Sequence, residues 1–156
     1  MASTVNRDGE SPLYLAAERG SVEAVQMLLG CAMVEYGGPR GQTALHAAVC
    51  RSYGNRHEIS ISIKDQQLCQ LHFFKNICRI KSLLTVVRSL DIAKVLLEKM
   101  SKLNLETDNS LSAPIHYAAS LGDVNMVRLL LQEDATIAHL LDNRGLSALH
   151  TAASQD

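Results

Sequence analysis

The chain contains no tryptophan, two phenylalanines and four tyrosines in 156 residues, so a core built on large aromatic rings is excluded. Its net charge of −1 provides no general attraction for nucleic acid or for an anionic membrane. No apolar run approaches the roughly 18 residues that indicate a spanning helix. The N-terminus lacks the apolar stretch of a secretory signal, and the four cysteines have no regular spacing. These absences together predict a cytoplasmic protein with reduced thiols and no nucleic-acid partner.

A stretch of helical periodicity at residues 112–131, SAPIHYAASLGDVNMVRLLL, is what the rest of the chain repeats. Its first helical pattern begins with Pro114, at a position where a proline is tolerated because its missing N–H would have no intrahelical partner. After a Leu-Gly-Asp turn, Val124, Val127, Leu130 and Leu131 fall on one face at helical spacing. A helical pair this short cannot bury its apolar face alone, so we expect it to pack against similar neighbours.

Four copies of this pattern occur along the chain, in SPLYLAA, TALHAAV, APIHYAA and SALHTAA. Leu13 and Leu45 lie 32 residues apart in these strings, and Ile115 and Leu149 lie 34 apart. Both intervals bracket the ankyrin period of about 33, and the strings match the ankyrin T-P-L-H-x-A signature. Tetratricopeptide repeats have a period of about 34, but their tryptophan position is not met. The chain therefore resembles an ankyrin-repeat protein over most of its length.

A finer resemblance rests on longer strings: ESPLYLAAERGSVEAVQMLL, APIHYAASLGDVNMVRLLL and LLDNRGLSALHTAAS are similar to plant ankyrin proteins of the accelerated-cell-death type. In that group the repeats precede a C-terminal hydrophobic membrane domain, which this chain lacks. The resemblance implies a protein–protein interaction module in plant defence or stress signal transduction. It also implies association with the plasma membrane.

The predicted fold is an all-α solenoid of stacked helix-turn-helix repeats with a 36-residue insertion. Residues 1–6 are expected to be frayed, and residues 7–51 and 88–156 to form about four repeats, the last one incomplete. The insertion is placed by spacing: Leu13 to Leu28 and Ile115 to Leu130 are 15 residues apart, whereas Leu45 to Leu96 are 51 apart. Residues 52–87 thus separate the two helices of repeat two.

The insertion allows two interpretations. From Asp65 to Val87 it has apolar residues near one face of a helix, and its five Lys/Arg against two Asp/Glu give the segment a charge of +3. A basic amphipathic helix can lie on an anionic membrane, which makes a membrane-peripheral protein the alternative function. The other interpretation is a retained non-coding segment read through between two parts of one repeat. The abrupt loss of the pattern and its recovery in register favour the second.

The insertion contains cysteines and histidines, which are residue types that bind zinc. Cys69, His72 and Cys78, with His57 upstream, supply four ligand atoms, but their spacing matches no compact zinc finger. No nucleophile–base pair, phosphate-binding glycine loop or paired carboxylate motif is present. We therefore predict no enzyme, no metal site and no cofactor.

Another protein, of unknown identity, is the expected partner. A stacked array offers its turn tips and first-helix surfaces as an extended concave face. On the family's pattern the partner-binding positions are Arg7, Asp8, Glu10, Glu18, Arg19, Arg40, Gln42, Asn109, Ser110, Ser112, Ser120, Leu121, Asn143 and Arg144. One further repeat position, held by Tyr14, His46, His116 and His150, is implied to tie neighbouring repeats together by hydrogen bonds.

Two departures from the pattern occur in repeat three. Leu111 stands where the other repeats have Gly9, Gly41 and Gly145, and Ala113 replaces the capping Ser or Thr. Repeat four stops before a second helix, so we expect an exposed apolar patch near the C-terminal end. Its predicted members are Leu129, Leu130, Leu140, Leu141 and Leu149.

Overall fold

Helical pairs follow one another along the chain, as the periodicity predicts. A computed structural model describes residues 5–31, 34–51 and 72–154, with the side chains of 72–84 left undescribed. Within these ranges the only β-pairing is two isolated bridges, Gly37 with Thr43 and Leu141 with Ser147, so the predicted all-α fold is confirmed. The α-helices are α1 (Pro12–Arg19), α2 (Val22–Leu29), α3 (44–51), α4 (His72–Lys99), α5 (Pro114–Ser120), α6 (Val124–Glu133) and α7 (Ala148–Ala153).

A serine or threonine occupies the cap position of the first helix in three of the four copies. Ser11 Oγ accepts from Tyr14 N at 3.2 Å, with Pro12 in the first turn. Ala113, the equivalent residue of α5, offers no side-chain acceptor. Its own backbone N–H donates to His116 Nδ1 at 3.1 Å, as Thr43 N donates to His46 Nδ1, so this bond does not replace the missing cap. The loss of the hydroxyl at this helix end costs about 0.5–2 kcal/mol.

The second helix of repeats one and three begins at a capped turn. Ser21 Oγ accepts from Ala24 N at 3.2 Å, and Asp123 Oδ1 accepts from Met126 N at 3.1 Å. Ser89 has the corresponding place in repeat two, but α4 passes straight through it. Its hydroxyl is buried and has no hydrogen-bond partner. Ser89 is thus a cap residue inside a continuous helix, where capping is impossible because the helix's own carbonyls occupy the N–H groups.

The core is a row of aliphatic residues that recurs from repeat to repeat. Leu13, Leu45 and Ile115, at one repeat position, are fully buried in repeats one to three. The second helices stack in order, with α2 against α4 and α4 against α6. A 3₁₀ helix follows each of α4 and α6, at Ser101–Asn104 and at Ala135–His139. Each contributes one buried aliphatic residue to the core, Leu103 and Ile137 respectively.

One position of the turn tip has a left-handed backbone conformation in every repeat, and in repeat two Arg40, with φ of 57°, has it as well. Gly9, Gly41 and Gly145 have φ values of 78°, 76° and 74°, in the left-handed region that favours glycine. Leu111 has φ of 56° at the same position, although its side chain is exposed and gains little packing. Repeat three therefore contains a strained residue in its tip.

Residues 52–71 lie outside the described part, as does the side chain of His72, so the zinc-ligand hypothesis for His57, Cys69, His72 and Cys78 is not addressed by the structure. The helix α4 crosses the expected boundary at 87/88 without a break. Among the described residues, we find no helix that could span a bilayer. The predicted exposure of Leu130 is wrong, because α6 turns this side chain into the core, whereas Leu141 and Leu149 are exposed.

Candidate partner-binding surface

Backbone hydrogen bonds join the tips of repeats two, three and four. Asn109 N donates to Arg40 O, and Asn143 N donates to Ser110 O, both at 3.0 Å. The equivalent donor between the first two tips would be residue 39, which is a proline and has no N–H. Repeats two to four therefore present one connected row of tips.

His46 and His116, of the shared repeat position, link one repeat to the next, whereas His150 is exposed and its Nδ1 bonds to Ser147 of its own repeat. His46 Nδ1 accepts from Thr43 N at 3.1 Å, so the ring proton lies on Nε2, which donates to Ser112 O at 3.0 Å. His116 repeats this arrangement, accepting from Ala113 N and donating to Leu140 O at 3.1 Å. Burial lowers the pKa of His46 below its usual value, which favours the neutral ring that both bonds require.

Tyr14 and Tyr117 belong to a chain of polar contacts that crosses three repeats. Tyr14 Oη donates to Gln42 Oε1 at 3.2 Å, and Gln42 Nε2 donates to Tyr117 Oη at 3.3 Å. Tyr117 Oη in turn donates to Asp108 Oδ2 at 2.6 Å. Burial, with the hydrogen bond to this carboxylate, raises the pKa of Tyr117 to about 12. Burial acts against ionisation of Asp108, but bonds from Tyr117 and from two backbone amides outweigh it and lower its pKa.

Carboxylates fix the tips from within. Asp108 Oδ1 accepts from Ser110 N and Ser112 N at 2.8 and 2.9 Å. Asp142 Oδ1 accepts from the corresponding amides of Arg144 and Leu146, both at 2.9 Å. Asp142 Oδ2 also pairs with the Arg144 guanidinium at 3.0 Å. Its pKa is lowered, first by the Leu146 amide, despite some opposing desolvation.

Two polar grooves follow the connected tips and share Ser110 and Tyr117. The larger, of about 380 Å³, lies between repeats three and four, and the smaller, of about 260 Å³, between repeats two and three. Most of the predicted partner-binding residues from repeats two to four line them. The predicted residues among the walls are Arg40, Gln42, Asn109, Ser110, Ser112, Ser120, Asn143 and Arg144.

The remaining predicted residues lie elsewhere. Arg7, Asp8, Glu18 and Arg19 are exposed and line neither groove. Glu10 is half-buried at the first tip, and Leu121 is half-buried because it packs against the core.

Sequence reasoning missed four groove residues, Asp108, Tyr117, Asp142 and Thr151. The spacing of Asp108 and Asp142 could have identified them, because they stand 34 residues apart, one repeat period. Both align with Asn6, whose Oδ1 accepts from the two corresponding tip amides of repeat one.

A family model described as "Ankyrin repeats (3 copies)" matches residues 2–60 and 83–156. The chain belongs to the ankyrin-repeat family. The unmatched stretch 61–82 falls inside the predicted insertion. The ankyrin chain is also 30% identical, over 160 aligned positions, to Rabankyrin-5 of Homo sapiens and to Rabankyrin-5 of Mus musculus. Each alignment covers 94% of this chain and 12% of the relative, so the chain spans about an eighth of the proteins it matches. Ankyrin repeats imply a protein–protein interaction module.

Proposed function

We propose that this ankyrin-repeat protein binds a polypeptide segment of another protein along the two grooves between repeats two and four. The observation that carries the proposal is the connected row of tips, which is held by backbone atoms and buried carboxylates. Because the backbone fixes the row, the side chains of Ser110, Ser112 and Asn143 can serve a ligand. A site preorganised in this way loses less conformational entropy on binding.

The chemistry of the grooves suits an extended, polar segment. Their walls supply hydroxyl and amide groups that can pair with a peptide backbone. Each groove also has one arginine and one carboxylate in its wall, Arg40 with Asp108 and Arg144 with Asp142. Because the grooves contain charges of both signs, they do not require a ligand of one particular charge.

Substitution of Ser110 tests the proposal, because this residue is common to both grooves. Ser110→Trp should fill the grooves while leaving its backbone bonds to Asp108 and Asn143 in place. Glu23→Trp, at an exposed site on α2, is the matched control. Quantitative capture from cell extract should show proteins that are lost with Ser110→Trp and retained with Glu23→Trp. If the two variants capture the same proteins as the unmodified chain, the grooves are not the binding surface.

A finer likeness, to plant ankyrin proteins of the accelerated-cell-death type, supports a role in defence signalling as a further hypothesis. It rests on the motif strings alone, and the relatives reported above are human and mouse proteins.

A second candidate function is peripheral membrane binding through residues 52–87. It is supported by the charge of +3 and by the helix α4, which begins at His72 and includes the second half of the segment. Val87, on its predicted apolar face, is 52% exposed. Co-sedimentation with anionic vesicles should then require residues 52–87. Equal sedimentation with and without the segment would remove this candidate.

A further inference from the structure

One position of the turn tips is held by Arg40, Ser110 and Arg144 in repeats two, three and four, and all three residues are exposed. Arg144 pairs with Asp142, two residues earlier, through Nε at 3.1 Å and Nη2 at 3.0 Å. In repeat two the residue two positions before Arg40 is Gly38, which has no carboxylate. The tip of repeat two therefore contains the arginine but not the acid that engages its counterpart in repeat four.

The Arg40 guanidinium has no carboxylate partner among the residues that the structure describes. Asp108 lines the same groove, but its oxygens already accept from Tyr117 Oη and from the amides of Ser110 and Ser112. This carboxylate belongs to a residue that is only 7% exposed. The exposed charge of the groove between repeats two and three is therefore that of Arg40.

The backbone holds Arg40 in place before any ligand arrives. Its φ of 57° lies in the left-handed region, and the ring of Pro39 fixes the φ of the preceding residue. Its carbonyl oxygen accepts from Asn109 N at 3.0 Å. A left-handed conformation is unfavourable for a residue with a Cβ, and such conformations cluster at binding sites, where the surrounding structure maintains them.

We propose that the segment bound in the grooves carries an anionic side chain, a carboxylate or a phosphate, that pairs with the Arg40 guanidinium between repeats two and three. The inference rests on the proposed function and specifies one chemical requirement of its ligand. A guanidinium presents its N–H donors in one plane, which suits two oxygens of such a group. Asn109 and Ser110 line the same groove and can donate further hydrogen bonds from their side chains. The requirement concerns one residue of the segment and leaves its net charge open.

Random peptides displayed on phage and selected on the full chain provide the probe. Groove binders are those that bind the unmodified chain and Glu23→Trp but not Ser110→Trp, and we expect them to share an aspartate or glutamate at one aligned position. In fluorescence anisotropy, one such synthetic peptide should bind Arg40→Gln about fivefold more weakly, as for an ion pair that water still reaches. Arg128→Gln, at an exposed site on α6, removes the same charge and should leave binding unchanged.

The peptide can be changed instead of the protein. Exchange of its acid for the corresponding amide should weaken binding to the unmodified chain by the same factor, and should have no further effect with Arg40→Gln, because the two groups are direct partners. The first of these measurements uses the unmodified chain and so does not depend on the folding of a variant. Phosphoserine in place of the acid distinguishes the two sources: tighter binding identifies a phosphate, and equal or weaker binding identifies a carboxylate.

The outcomes separate this inference from the proposed function. Groove binders without a shared acid, equal affinities for Arg40→Gln and the unmodified chain, or additive losses from the two exchanges would overturn the inference and leave the proposed function standing. If no selected peptide loses binding with Ser110→Trp, the proposed function fails and the inference fails with it.

Discussion

The ring of Tyr14 occupies the space in which a side chain at residue 38 would lie. A Cβ atom built on Gly38 would overlap the Tyr14 ring, and the φ of Gly38 is −140°, so backbone strain does not require glycine here. Repeats three and four have Asp108 and Asp142 at the position of Gly38, and histidine at the position of Tyr14. Tyr14 and Gly38 therefore depart from the repeat pattern together, because the larger ring needs the space that a side chain at residue 38 would fill.

Gly38→Ala should destabilise the fold by about 1–3 kcal/mol, as overpacking does. In the Tyr14→His background the same change should cost less, because the smaller ring leaves room. A double-mutant cycle by urea denaturation measures the coupling, which for residues in contact is about 0.5–3 kcal/mol. Additive effects would show that the ring and the glycine are independent.

Leu111→Gly should raise the stability of the chain. A left-handed conformation costs a residue with a Cβ about 1–2 kcal/mol, which glycine avoids. Glycine loses more conformational entropy on folding, however, which lowers the gain by about 0.5–1 kcal/mol. We expect a net gain of up to about 1.5 kcal/mol in the free energy of unfolding. Leu111→Ala, which keeps the Cβ, is the control and should show no comparable gain; equal gains from both would argue against strain at this tip.

Stability should fall as the pH drops below about 6.5, the usual histidine pKa. Since the pKa of His46 is lowered in the folded chain, the unfolded chain binds more protons between the two values, and unfolding becomes easier with acid. His46→Ala should be less stable than the unmodified chain at pH 7.5, and the difference should narrow by pH 5. Asp108 does not interfere, because burial is outweighed by bonds from Tyr117 and two backbone amides, which lower its pKa further below pH 5. Chemical denaturation at both pH values decides this, and an unchanged difference would contradict it.

Deletion of residues 52–87 should raise stability. The deletion would allow a helix to start at Ser89, so that its buried hydroxyl gains the capping role of Ser21 and Asp123. A cap of this kind is worth about 0.5–2 kcal/mol, and a shorter loop adds about 0.6 kcal/mol for each halving of its length. Serine-to-alanine replacement at 89 in the deleted chain should remove the capping part. A lower urea midpoint after deletion would mean that the segment packs against the repeats.

The helical pairs could be predicted from the sequence because the same motif recurs in four copies, with Leu13, Leu45, Ile115 and Leu149 at one shared position. The grooves could be predicted only in part. Tyr117 could not be predicted as a groove residue, because its role depends on a contact with Gln42, 75 residues earlier, which no local pattern encodes. The prediction that Leu130 is exposed is wrong: helical spacing groups it with its neighbours on α6, but its side chain is fully buried, and its carbonyl accepts from Asn104 Nδ2 at 3.0 Å.

Four of the acceptors that hold neighbouring repeats together are main-chain oxygens, those of Arg40, Ser110, Ser112 and Leu140. A carbonyl oxygen is the same whichever side chain its residue has. The identities at 40, 110 and 112 can therefore drift or be randomised in a library at little cost to folding. New specificities are accessible at these positions by few mutations, and the scaffold is suited to retargeting by selection.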